Sequence, residues 1–232
     1  MEFYHNTIYK DDFTINDLLI GSLLGDACLN KDGRIEIWHC EKQKEYTLWL
    51  MNLYKKYFKV KYRERVCKDK KTDREFNQVG FCVSSTKRLK LLRTYLYCPQ
   101  KCFNMKQLKK LSPLGLAIWY MDDGCLSFIK DKQHQIKARQ LILNTQAYSF
   151  EEQEMFVTYF KEVWDIECHI HIDHNSYRLW MNSTEGTKLL SIISPYMPPC
   201  MYYKVCYRYF GYKSSNNLCK KSCSKDCPYH IV

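Results

Sequence analysis

At 232 residues the chain can form one large domain or two small ones of roughly 100 residues each. With 46% hydrophobic and 26% charged residues it can build a core, and no run approaches the ~18 apolar residues of a membrane span. Thirty-six Lys and Arg against 25 Asp and Glu leave a formal charge of +11, which points to a polyanionic partner, nucleic acid before membrane.

The first residues carry Glu2, Asp11 and Asp12 without a basic-then-apolar order, which argues against a cleaved leader. Residues 16–25 (NDLLIGSLLG) are apolar with helical spacing, and Asn16 can cap the start. Strands near 27–30 and 34–40 follow, joined by a turn at Lys31-Asp32-Gly33. A helix near 41–58, strands near 60–67 and 77–84 and a helix near 86–97 complete the first set. Residues 98–112 are basic, carry Pro99 and read as a linker.

The same order then repeats. Ser112 and Pro113 have the chemistry of a helix start, and Gly124 suits a left-handed exit at the end of a helix over 113–122. Strands near 125–130 and 137–146, a helix near 150–164, strands near 168–174 and 177–183 and a helix near 185–195 follow. Residue matches support the duplication. SSTKRLKLL at 84–92 stands against NSTEGTKLL at 182–190, with Ser85 and Ser183 offset by 98. Asp26 and Asp123 are offset by 97, and Tyr97 and Tyr196 by 99. The expected architecture is α+β, αββαββα written twice. Residues 1–97 form the first repeat, 98–112 the linker, 113–206 the second repeat and 207–232 a basic, Cys-rich tail.

A sheet covered by helices on one face leaves the other open, and alternation says which residues lie there. Lys61, Arg63 and Arg65 share a face, as do Arg34, Glu36 and Trp38, then His169, His171 and Asp173, then Arg178, Trp180 and Asn182. The candidate nucleic-acid contacts are therefore Arg34, Trp38, Lys61, Arg63, Arg65, His169, His171, Arg178 and Asn182, with Arg139 and Asn144 from the strand at 137–146. His169, His171 and His174 also have a spacing able to grip zinc, but on an open face they read as nucleic-acid contacts. In the tail, Cys219, Cys223, Cys227 and His230 offer four zinc ligands in twelve residues, against the alternative of a solvated basic tail. Thirteen cysteines, an odd number scattered through the chain, fit a reducing compartment better than a disulfide framework.

A carboxylate in the last turn of an apolar helix opposes the helix dipole. Here it recurs once per repeat, at Asp26 and Asp123. Two such carboxylates can bind Mg²⁺ or Mn²⁺ through oxygen and support phosphodiester hydrolysis, with Asp122 as a weaker candidate ligand.

Residues 19–27 (LIGSLLGDA) and 116–124 (LAIWYMDDG) resemble the nonapeptide of the LAGLIDADG homing endonucleases, and Asp26 and Asp123 fall at its eighth, metal-binding position. The stretches LNTQ at 143–146, SFEE at 149–152, and PY at 195–196 with MYYK at 201–204 resemble the single-chain, two-motif members encoded in introns, of the kind found in yeast mitochondria. The resemblance spans about residues 14–206. It implies a pseudo-twofold pair of repeats and a saddle-shaped sheet in the DNA major groove. It also implies Mg²⁺-dependent double-strand cleavage by a monomer, with one basic residue per half near the cut, at Lys101 and Lys204.

Ten-residue strands span about ten base pairs per half, so the target would be roughly 20 base pairs of double-stranded DNA. The second motif departs from the pattern by placing Ile118 and Asp122 where the first has Gly21 and Gly25, which argues against tight helix contact at that end. Two alternatives stay open: an intron RNA maturase and a nuclease-dead DNA-binding protein. High Lys, Tyr and Asn usage suggests an A+T-rich genome, an organelle or a phage.

Overall fold

The computed structural model describes residues 15–69, 72–97, 101–130, 136–173 and 176–205; side chains at 128–130, 136–139 and Asp173 lie outside that description. The chain divides into two compact units, residues 1–122 and 123–232.

In the first unit, α1 (Ile15–Leu24) leads to β1 (Cys28–Leu29) and β2 (Ile35–Cys40). After one 3-10 turn come α2 (Lys44–Lys55), β3 (Val60–Lys68), β4 (Glu75–Val83) and α3 (Lys87–Leu96). The antiparallel sheet has the order β1-β2-β4-β3. The turn before β2 is closed by Gly33, whose φ of 81° is in the left-handed region that favours glycine. Along β2, Ile35, Ile37 and His39 are buried while Glu36 and Trp38 are half-buried, the alternation expected of a one-sided sheet. Ile37, Phe81, Tyr54 and Leu50 fill the space beneath α2 with no exposed surface, each worth about 1.5–3 kcal/mol of apolar burial.

Two further helices belong to this unit. α4 (Met105–Leu108) interrupts the expected linker; Asn104 and Gln107 form a reciprocal capping box, a polar pair at the spacing that starts a helix. α5 (Pro113–Asp123) begins where Ser112 Oγ accepts the N–H groups of Leu114 and Gly115. Positions 18–24 of α1 and 114–121 of α5 are all buried, so both helices lie inside the protein rather than on it.

α1 and α5 touch backbone to backbone. A methyl added at Gly21 would overlap the carbonyl oxygen of Gly115, and one at Gly25 would overlap the Asp122 carboxylate. The expectation of loose packing at that end is therefore overturned. Gly115, not Ile118, meets Gly21, and the Asp122 side chain fills the notch that Gly25 leaves. Two smaller expectations also fall. Asn16 lies inside α1 and accepts from Arg88 at 2.6 Å instead of capping the start. Gly124 has no positive φ, because α5 runs directly into a strand without a left-handed turn.

The second unit repeats the topology. β5 (Gly124–Lys130), β6 (Ile136–Leu143), α6 (Phe150–Trp164), β7 (His169–Asp173), β8 (Ser176–Asn182) and α7 (Ser183–Ile193) follow in order, and the sheet order is β5-β6-β8-β7. β6 stops at Leu143, short of the expected 146, because Asn144 and Thr145 turn toward α6. α6 has a complete capping box between Ser149 and Glu152 and ends at Asp165 in the left-handed region, so its ends match the sequence reading closely. Leu141, Leu143, Phe156, Phe160, Leu179, Met181 and Ile193 make its core. A 3-10 segment (Pro199–Lys204) follows α7.

Candidate active site and nucleic-acid face

The C-terminal end of α1 hands the chain to Asp26 in a tight turn, with Ala27 N–H reaching Ser22 O at 3.0 Å. The Asp26 backbone N–H donates to Asp122 Oδ2 at 3.1 Å, and the Tyr46 hydroxyl donates to Asp122 Oδ1 at 2.7 Å. The Asp122 side chain is 1% exposed, whereas that of Asp26 is 48% exposed. Of the two, then, the carboxylate turned toward solvent is Asp26, and Asp122 is a buried brace for its backbone. Burial first, and then the Asp122 charge, push the Tyr46 phenol well above its ordinary pKa, so it stays a neutral donor to that carboxylate.

His39 completes the cluster, and no pattern in the sequence singled it out. It sits on the core side of β2, 3% exposed, with Nε2 3.8 Å from Asp26 Oδ2 and 3.7 Å from Asp122 Oδ1. The readable signal was a histidine at an inward position of an otherwise apolar alternation, Ile35-x-Ile37-x-His39. Lys101 joins from the segment after α3: its Nζ donates to Leu23 O at 2.9 Å, three residues before Asp26.

In the second unit, Asp123 is half-buried where α5 becomes β5. Its carbonyl accepts both the backbone N–H and the side-chain amide of Asn144, each at 2.9 Å. Asn144 thus braces the turn that carries Asp123. Lys204 lies close enough to Cys125, two residues beyond Asp123, to oppose the rise that burial imposes on that thiol. Each unit therefore holds an aspartate at a motif-helix end, with a lysine near by. Carboxylate oxygens of this kind are hard donors, suited to Mg²⁺ or Mn²⁺.

The open sheet faces keep the expected residues together. Across β3, β4 and β2, Lys61 pairs with Cys82, Arg63 with Gly80 and Arg65 with Gln78, while Trp38 also pairs with Gly80. The missing side chain at Gly80 leaves room for the Trp38 ring, and the Arg65 guanidinium stacks on that ring at 3.9 Å. Arg34 is held by Asp32 at 2.6 Å. In the second unit His171 pairs with Arg178 and His169 with Trp180, whose indole N–H donates to Gln140. Asn182 caps α7 by accepting from Glu185 N–H at 3.0 Å, which commits its oxygen locally. Arg139 pairs with Phe128 in the sheet, its side chain outside the described residues. His174 and the tail set of Cys219, Cys223, Cys227 and His230 also lie outside the described residues.

Taken together, these features define a class: proteins built on repeated αββαββα units, each with an acidic helix end and an open, polar sheet face. The chain belongs to the LAGLIDADG DNA endonuclease family, which its sequence matches over residues 16–189. A solved structure of the homing endonuclease I-WcaI bound to its DNA recognition sequence has the same fold, with TM-score 0.71 and 21% identity, covering 82% of this chain and 85% of that one. Protein RecA of Mycobacterium gastri is 26% identical over 210 residues, covering 84% of this chain and 48% of that protein. The chain spans about half the length of the RecA relatives that it matches across most of its own length. A probable intron-encoded DNA endonuclease 3 of Mycosarcoma maydis is 30% identical over 98 residues, covering 42% of this chain and 66% of that protein.

Proposed function

We propose that this chain is a homing endonuclease that binds a long double-stranded DNA site, roughly 20 base pairs, and cuts both strands with Mg²⁺ or Mn²⁺. The observation that carries the reading is an aspartate at a motif-helix end in each unit of a LAGLIDADG protein, with Lys101 bonded to the chain three residues before Asp26 and Lys204 near Cys125, two residues past Asp123. Asp26 and Asp123 would hold the metals, which when bound supply Lewis-acid stabilisation of phosphate oxygens and an acidified water.

The chain's own residues do the rest. Asp122 and Asn144 fix the backbone at the two aspartates, so that each carboxylate is presented without reorganisation at the moment of reaction. Lys101 and Lys204 place positive charge where phosphate charge builds up. Arg34, Trp38, Lys61, Arg63 and Arg65 of the first sheet, with His169, His171 and Arg178 of the second, read and position the DNA. The formal charge of +11 suits that partner. Relatives named as intron-encoded endonucleases favour a mobile-intron origin, and with it an organelle genome.

The direct test is selection of a cleavage site from a randomised plasmid library. Linear product should form with Mg²⁺, vanish with a chelator and return when Mg²⁺ or Mn²⁺ is restored. Cleavage that persists in chelator would reject metal dependence, and recovery of no site would reject the endonuclease reading.

A further inference from the structure

We infer that the first unit carries a site for a borderline divalent transition-metal cation, of the Zn²⁺ or Co²⁺ class, formed by the Asp26 carboxylate, His39 Nε2 and the Asp122 carboxylate. One ligand atom from each lies within 4.8 Å of the other two. Hydrogen-bond accounting fixes the imidazole. The Thr47 hydroxyl has one proton and donates it to Gln43 O at 3.0 Å, so at its 2.9 Å contact with His39 Nδ1 it must accept. Nδ1 therefore carries a proton, which leaves Nε2, the nitrogen facing the two carboxylate oxygens, as the ring's one candidate ligand atom.

Nε2 is buried and has no hydrogen-bond partner among the described residues. Its distances to the two oxygens, 3.8 and 3.7 Å, are too long for hydrogen bonds and close to the ~3.4 Å separating ligands around a tetrahedral zinc. The two carboxylate oxygens, within 4.8 Å of each other, draw in by rotation of the half-exposed Asp26 side chain. Asp122 Oδ2 accepts from the Asp26 N–H and Oδ1 from the Tyr46 hydroxyl, which fix the carboxylate beside Nε2. An imidazole beside two carboxylates favours Zn²⁺ and Co²⁺ over Mg²⁺, which prefers oxygen alone. The second unit has no imidazole at the matching place: three positions past the partner of Cys28 stands His39, and three past the partner of Cys125 stands Thr145.

The site shares Asp26 with the proposed cleavage centre, so the test uses no DNA and reads no cleavage. Full-length ¹⁵N-labelled protein is titrated with Zn²⁺, and histidine ring nitrogens are followed by NMR, with His39 assigned by its loss in His39→Gln. Reading His39 itself separates this site from any zinc held by cysteines. The His39 Nε2 resonance should move to a metal-bound position, with Zn²⁺ affinity falling at least about tenfold in Asp122→Asn and in Asp26→Asn, whose side chain is half exposed. Millimolar Mg²⁺ should not reproduce the shift. A competing occupant is a proton on Nε2, which would show as a doubly protonated ring that Zn²⁺ leaves unchanged. That result overturns the inference, as does equal Zn²⁺ affinity in wild type and both Asn variants.

Discussion

The two motif aspartates are equivalent by sequence and differently housed. Around Asp26 the surroundings are ionic: a buried second carboxylate, a buried imidazole and a phenol donor. The matching place in the second unit is neutral. Thr145 and Gln153 replace His39 and Thr47 at the same spacing of eight residues, and the Thr145 hydroxyl donates to Gln153 Oε1 at 2.7 Å. Gly25 in one motif corresponds to Asp122 in the other, so the brace for Asp26 comes from the second motif, and no mirror-image brace can exist for Asp123. The two units share one topology and differ in their polar interiors. Whatever the two aspartates do in common would therefore rest on different supports.

The largest effects should come from the aspartates themselves. Asp→Asn keeps shape and removes the charge that holds a cation. Asp26→Asn and Asp123→Asn should each suppress linearisation of a site-bearing plasmid by several orders of magnitude while gel shifts persist. If only one of them matters, the two units are not catalytic equivalents. Wild-type rates from both would remove the assignment altogether.

The supports should separate next. Asp122→Asn weakens the hold on Asp26 alone, so nicking of one strand should outlast cleavage of the other, visible as accumulated open-circular plasmid. Equal slowing of both strands would show that the brace serves both centres. Thr145→Val in the other unit strands the Gln153 amide oxygen in the core and should cost about 1–3 kcal/mol in urea unfolding. Gly21→Ala, pressed against the Gly115 backbone, should cost about 1–3 kcal/mol or more, because a backbone neighbour cannot turn aside.

The sheet faces give a smaller contrast. Lys61, Arg63 and Arg65 carry permanent charge, so each replacement by Gln should lower the salt dependence of DNA binding by about one unit of slope. His169→Gln and His171→Gln keep a polar side chain of similar reach and should alter sequence preference more than slope. Identical slopes for both sets would argue against the first sheet as the main phosphate contact.

The smallest expected effect concerns thiols. Burial pushes the Cys168 thiol up to about 12, whereas Cys28 and Cys40 are exposed. A thiol reagent at pH 8 should label the latter pair in the folded protein and reach Cys168 only on unfolding, as read by peptide mass mapping.

Sequence pattern alone determined the order of elements within each repeat and the faces of the strands, though not α4. These are local properties: alternation, caps such as Ser149 with Glu152, and apolar helices are written in neighbouring residues. It also located the acidic helix ends, because a carboxylate opposing a helix dipole is anomalous in its own segment. It placed Asp122 behind its neighbour as a ligand but could not foresee that Asp122 would be buried. Adjacent residues on a helix point in different directions, and only the close approach of α1 at Gly21 and Gly25 decided which carboxylate would be buried. Nor could it find His39, whose Nε2 comes to face Asp26 and Asp122 when β2, α1 and α5 pack together. Such a meeting joins residues up to 96 positions apart, and no local pattern encodes it.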